Sequence, residues 1–137
     1  NMPSRPLSAS KSIHVDGKGK LLPIDPPRNG ARPQLSFSLN QEPNDRQANG
    51  YFRITDKKNK VNLKSEGLGK VQATQNWLSF TGYGTLNSGE KRTFRVIIDK
   101  KHPLIDGKRP IVTIKVEGMN EIKGFFVPPK INIHIDN

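Results

Sequence analysis

From residue 35 onward the chain alternates between apolar and polar positions. Leu35, Phe37 and Leu39 are separated by Ser36 and Ser38. The same period of two returns at Phe52 and Ile54, Val61 and Leu63, Val71 and Ala73, Leu78 and Phe80, then Phe94, Val96 and Ile98, then Val112, Ile114 and Val116. A β-strand points successive side chains to opposite faces, so each run predicts a strand with one buried face. Turn-formers lie between the runs: Asp56 to Asn59, Glu66-Gly67, Gly82 to Gly89, and Asp106-Gly107. Runs of roughly four to eight residues recurring about every ten predict an all-β protein, an antiparallel β-sandwich or a partly open barrel of about 8–10 short strands. No segment predicts an amphipathic helix; even Val71 to Thr81, free of Gly and Pro, alternates rather than spirals.

The two ends are patterned differently. Residues 1–34 carry Pro3, Pro6, Pro23, Pro26, Pro27 and Pro33. Proline fixes φ and removes a ladder donor, which predicts a proline-rich N-terminal arm. Within it Ser12 to Val15 and Lys20 to Ile24 flank Asp16-Gly17-Lys18-Gly19, the signature of a short hairpin. Residues 35–117 form the expected β domain. Residues 118–137 are expected to be a loop followed by a terminal strand, because Ile131, Ile133 and Ile135 alternate with Asn132, His134 and Asp136. Ser12-Ile13-His14-Val15-Asp16 looks like Asn132-Ile133-His134-Ile135-Asp136, which suggests that the two terminal strands pair.

The stretch Gly82-Tyr83-Gly84-Thr85-Leu86-Asn87-Ser88-Gly89 invites comparison with a phosphate-cradling loop. Such a loop opens a helix, whose free N–H groups and dipole face the anion. Here Phe94, Val96 and Ile98 follow at strand period, and the spacing of a nucleotide-binding loop is missing. Gly82 and Gly84 therefore predict a bulge or bend within a strand, and Asn87-Ser88-Gly89 a hairpin turn.

Taken in order, six segments carry a resemblance: Phe37-Ser38-Leu39, Gly50-Tyr51-Phe52-Arg53-Ile54-Thr55-Asp56, Val61-Asn62-Leu63-Lys64-Ser65, Leu78-Ser79-Phe80-Thr81-Gly82-Tyr83-Gly84-Thr85-Leu86-Asn87, Phe94-Arg95-Val96-Ile97-Ile98-Asp99 and Val112-Thr113-Ile114-Lys115-Val116. The series resembles a small all-β accessory domain found at the C-terminal end of secreted bacterial multidomain proteins. The resemblance covers roughly residues 35–117 and is most specific from Phe80 to Asn87. Ser88 stands where that pattern has Gly, and Lys108-Arg109-Pro110 where it has Asp. The resemblance implies a non-catalytic module, secreted or held in the cell envelope, and it implies no ligand.

Composition adds charge to this picture. The chain has 137 residues, which suits one domain with a small appendage, and a net charge of +11 from 23 Lys plus Arg against 12 Asp plus Glu. That balance is also a departure from the accessory domain, which is near neutral or acidic. A charge of this size attracts polyanions such as acidic glycan or nucleic acid. There is no cysteine, so disulfides and thiolate metal sites are ruled out. No apolar run has the length of a membrane span. Asn1-Met2-Pro3-Ser4 shows no signal-peptide core. Because Asn1 precedes Met2, the chain is expected to be a trimmed or mature fragment whose targeting segment lay upstream.

If the apolar runs face inward, their neighbours face out and make a basic sheet face. Its expected members are Arg53, Lys64, Arg95 and Lys115 on strands, with Lys60 and Lys101 at turns. Function is therefore expected to be non-catalytic binding, adhesion or a structural role, with polyanions contacted through that face. The alternative is a single-stranded nucleic-acid-binding barrel, which needs exposed aromatics among the charges; Tyr51, Trp77 and Tyr83 are the candidates, with Trp77 also placed to pack at a strand end. The third class, a small hydrolase, has no nucleophile elbow or apolar carboxylate pair to carry it. Among the histidines, His14 and His134 would approach if the terminal strands pair, with Asp16 and Asp136 near. Zinc needs three or four converging ligands, and the expectation is of ordinary strand histidines facing solvent. Asp99 to Gly107 places two carboxylates around Lys100 and Lys101, which predicts a solvated loop rather than a calcium loop. No cofactor or metal is expected.

Overall fold

The computed structural model describes residues 11–24, 30–100, 109–128 and 130–136. These residues contain nine strands: β1 (Ser12–Pro23), β2 (Gln34–Gln41), β3 (Asn49–Asp56), β4 (Val61–Thr74), β5 (Trp77–Leu86), β6 (Glu90–Asp99), β7 (Ile111–Val116), β8 (Ile122–Val127) and β9 (Ile131–Asp136). The protein is all-β, as the alternation predicts. Strands β1 to β8 pair antiparallel in sequence order, and β8 returns to β1. The result is a closed eight-stranded barrel rather than a sandwich. A sandwich is two sheets packed face to face; here one strand pairs on both sides and closes a single sheet on itself.

The closing strand is β1. Its residues Ile13 to Lys20 pair with β2, Lys20 to Pro23 also pair with β8, and Ser12 to Gly17 also pair with β9. The hairpin expected at Asp16 to Gly19 is therefore absent, and those residues run straight through mid-strand. Their glycines have a different task. A Cβ on Gly17 would lie 2.7 Å from the ring tip of Phe37, and one on Gly19 would lie 2.5 Å from the carbonyl of Val127. Both glycines leave room on the strand for neighbours that come closer than a side chain permits. The barrel thus reaches outside residues 35–117 at both ends of the chain. The expected pairing of the matched terminal segments is present, with His14 opposite His134 and Val15 opposite Ile133. Pro128 separates β8 from β9, and together they run along the two halves of β1.

An eight-stranded barrel has an interior just wide enough for side chains to fill. Phe37, Phe52, Phe80, Phe94 and Phe126 are buried there with Leu21, Leu35, Leu39, Ile54, Leu63, Leu78, Val96, Ile98, Val112 and Ile114. Phe52 packs edge-on against Phe80 with ring centroids 5.7 Å apart, and stacks on Phe94 at 5.1 Å. This apolar filling is the core, and function is left to the outer face and the rims.

The glycine stretch is answered by β4. That strand, expected as two short runs, is continuous but slips register between Ser65 and Gly67 and again between Leu68 and Val71. The irregularity lies on β4, while β5 keeps unbroken register with β6 through Gly82 and Gly84. A Cβ on Gly84 would stand 2.0 Å from the Lys64 carbonyl oxygen, and one on Gly82 would stand 2.6 Å from that of Gly67. The glycines admit the displaced backbone of their neighbour. Asn87 (φ 49) and Gly89 (φ 115) then form the turn into β6.

Candidate functional site

On the outside of the barrel, β1, β2 and β3 form the floor and sides of an open groove of about 700 Å³. Its residues follow from the register. Lys18 lies opposite Ser36, which lies opposite Arg53; one step along, Lys20 lies opposite Gln34, which lies opposite Thr55. Short polar side chains of β2 make the floor, and longer cationic ones on β1 and β3 make the sides. Lys57, at the end of β3, closes one end. Tyr51, 47% exposed, bounds the other. Its hydroxyl hydrogen-bonds the Ser36 hydroxyl at 2.8 Å. Ser36 is not its cross-strand partner, which is Ser38, so the tyrosine leans diagonally over β2.

The groove is electrostatically one-sided. Lys18, Lys20, Arg53 and Lys57 line it, and among the described residues no carboxylate does. Lys91–Glu66, Arg92–Glu90 and His14–Asp16 form ion pairs among the described residues, and none of them uses a groove cation. The positive row continues around the barrel, since Arg53 lies opposite Lys64, Lys64 opposite Thr85, and Thr85 opposite Lys91. It stops there, because the Lys91 ammonium is bound by both oxygens of Glu66 at 2.6 Å. Hydrogen bonds from Lys91 and then Thr85 hold the Glu66 carboxyl below the usual range for glutamate.

The expected basic residues divide into two groups. Arg53 and Lys64 are exposed cross-strand neighbours, Arg53 lining the groove and Lys64 just outside it on β4. Arg95 and Lys115 are likewise exposed neighbours, but on β6 and β7, beside a separate shallow hollow of about 630 Å³ with Thr81, Tyr83 and Thr93. Four positions of β5 separate Thr81, which faces Arg95, from Thr85, which faces Lys64, and the wall curves between them. Lys60 is exposed in the β3–β4 turn with φ 56. Lys101 lies outside the described residues, as do His102 and most of the loop from Asp99 to Gly107. Of the three candidate aromatics, only Tyr51 borders the groove; Tyr83 is at the second hollow and Trp77 at the start of β5.

Lys18 and Lys20 were hidden from sequence reasoning by the turn expected at residues 16–19. The signal was present: Ile13, Val15, Gly17, Gly19 and Leu21 keep one period of two, which puts Lys18 and Lys20 on the outer face. Two glycines in the series removed the apolar marks that would have revealed it.

The paired terminal strands build a second polar cluster. His14 and His134 stack with centroids 6.3 Å apart. The His14 Nδ1 lies 2.5 Å from Asn40 Oδ1, and its Nε2 lies 2.8 Å from Asp16 Oδ2. Both oxygens accept, so the ring meets both partners only with a proton on each nitrogen. The Asn40 bond, with Asp16 adding to it against some desolvation, raises the His14 pKa above the ordinary histidine value. Asn132 of β9 donates to the other Asp16 oxygen at 2.9 Å. Among the described residues, no three His, Asp or Glu side chains gather as a metal site. Nor does any helix have the length and apolarity to cross a membrane.

Comparison of the chain with protein-family models, with curated proteins and with solved structures gave no match. The class that fold and site define is a closed eight-stranded antiparallel β-barrel with a cationic outer groove.

Proposed function

We propose that the protein is a non-catalytic binding module that holds an anionic polymer in the β1–β2–β3 groove. The observation that carries this reading is the groove's lining: Lys18, Lys20, Arg53 and Lys57, with no carboxylate beside them and no ion pair to any of them among the described residues. Cations spaced along β1 and β3 and at the turn beyond β3 attract a chain of negative charges, and their counterions are released on binding. The neutral floor of Gln34 and Ser36 supplies hydrogen-bonding groups that are indifferent to the polymer's sequence. The role as an exported accessory module rests on the sequence resemblance alone.

Titration at several salt concentrations tests the proposal, with a heparin fragment, a single-stranded oligonucleotide and a neutral polysaccharide as probes. The expected result is polyanion binding that weakens as salt rises, with log K falling by about 0.7 per log unit of salt for each phosphate contacted by the groove on a single strand. The double variant Lys18→Gln, Lys20→Gln should lower that slope by about 1.4. The variant Arg95→Gln, Lys115→Gln, at the other hollow, should leave it near the wild-type value. Equal loss in both variants, or equal binding of the neutral polysaccharide, would sink the proposal.

A further inference from the structure

We infer that the polymer in the groove is a single-stranded nucleic acid, with Tyr51 as the surface on which one base stacks. This rests on the groove reading above and narrows it to one chemical class.

The first argument is spacing. Along a strand, side chains on one face repeat every two residues, roughly 6.7 Å, and the backbone of an extended single strand can be tracked by cations set at such a regular interval. Lys18 and Lys20 on β1 are one such repeat apart; Arg53 stands on β3, and Lys57 follows in the turn just past the end of that strand. The two lines of cations stand on either side of β2, about 9.6 Å apart by strand spacing. A backbone running parallel to the strands lies between them with cations on both flanks.

The second argument is Tyr51. A tyrosine at its position would ordinarily stand over its own cross-strand partner, Ser38. Here the hydroxyl is held by Ser36, which draws the side chain over the groove floor while leaving it 47% exposed. A pinned aromatic loses little freedom on binding and offers a face to any base. A sulfated or carboxylated glycan satisfies the cations equally well, but it offers the tyrosine only the C–H face of a puckered ring, where a base offers a flat π surface. The aromatic at the end of the line of cations is what favours nucleic acid.

The experiment uses the whole chain and fluorescence anisotropy, with three probes of matched charge number. These are an oligothymidine, the same sugar-phosphate backbone with the bases removed, and a heparin fragment. The inference expects oligothymidine to bind about tenfold more tightly than the abasic strand, and Tyr51→Ala to erase that difference while abasic binding is unchanged. Tyr51→Phe, which keeps the ring and loses the bond to Ser36, should retain most of the preference. Equal affinity for all three probes, with loss in the Lys18→Gln, Lys20→Gln variant, would leave the groove standing and overturn the nucleic-acid assignment. Tighter heparin binding that is indifferent to Tyr51 would assign the groove to an anionic glycan. Binding unaffected by the lysine substitutions would overturn the groove itself. Melting curves of each variant confirm that exposed substitutions leave the barrel folded.

Discussion

Replacing Gly17 with alanine tests how the barrel closes. The added Cβ would stand 2.7 and 2.9 Å from two ring atoms of Phe37, closer than real Cβ atoms come to any neighbour. Phe37 is 1% exposed and packs against Phe80 with centroids 6.2 Å apart, so the ring cannot swing away cheaply. Overpacking of this kind costs about 1–3 kcal/mol, while exchanging glycine for alanine within a strand returns about 0.5–1 kcal/mol. The two ranges leave a net loss of up to about 2.5 kcal/mol, and the rigid setting of Phe37 puts the expectation at about 1–2 kcal/mol. For a chain of this size that lowers Tm by very roughly 3–10 °C. The assay is urea unfolding followed by Trp77 fluorescence and circular dichroism, on four proteins: wild type, Gly17→Ala, Phe37→Leu and the double variant. Phe37→Leu shortens the side chain that the new methyl would strike. The double variant should therefore be more stable than the sum of the single losses by about 0.5–1 kcal/mol or more. If Gly17→Ala proves neutral, or if the two changes add without coupling, Gly17 does not face Phe37 across the closing seam and the pairing of β1 with β2 is misassigned.

Three further outcomes follow from particular contacts. Gln41 is buried, and its side chain both donates to the Val71 carbonyl at 3.3 Å and accepts from the Val71 N–H at 2.9 Å, standing in for a strand partner at the β4 register slip; Gln41→Ala strands both groups and should cost about 2–4 kcal/mol in urea unfolding. Gly84→Ala forces a Cβ against the Lys64 carbonyl, a rigid backbone atom, and should cost about 3 kcal/mol or more, whereas Gly89→Ala, with φ +115 and open space around it, should cost only about 1 kcal/mol of backbone strain. The raised pKa of His14 means that its contribution is fully present below the unfolded histidine value of about 6.5 and is lost as pH rises through the higher folded value. The stability difference between wild type and His14→Gln, followed by thermal melts from pH 5 to pH 9, should shrink with rising pH; a difference that is flat or grows would refute the doubly protonated ring.

The strand pattern was legible because burial on one face forces a period of two, and Leu35 to Leu39 or Phe94 to Ile98 show it without interruption. Reading failed where glycine carried two meanings. Asp16 to Gly19 has turn composition, yet Gly17 and Gly19 are strand positions emptied for Phe37 and Val127. Glu66-Gly67 likewise looks like a break between strands and is a register slip within β4. A missing side chain has the same appearance in sequence whether it frees φ or admits a neighbour. The candidate site followed the same rule: Arg53 and Lys64 were found because their strands alternate cleanly, and Lys18 and Lys20 were missed because theirs does not.

By itself, then, the sequence determined that the chain is all-β, which side chains face inward, that the matched terminal segments pair, and that the surface is strongly positive. Those properties are local or additive: each depends on a residue and its near neighbours along the chain. Closure into a barrel, the union of β1 with both β2 and β8, and the gathering of Lys18, Lys20, Arg53 and Lys57 around Ser36 were decided only by the tertiary structure. Register between strands far apart in sequence is set by how the core fills, and a groove is a property of three strands at once. A net charge of +11 says that a polyanion is attracted. Only the cross-strand register says where it would lie.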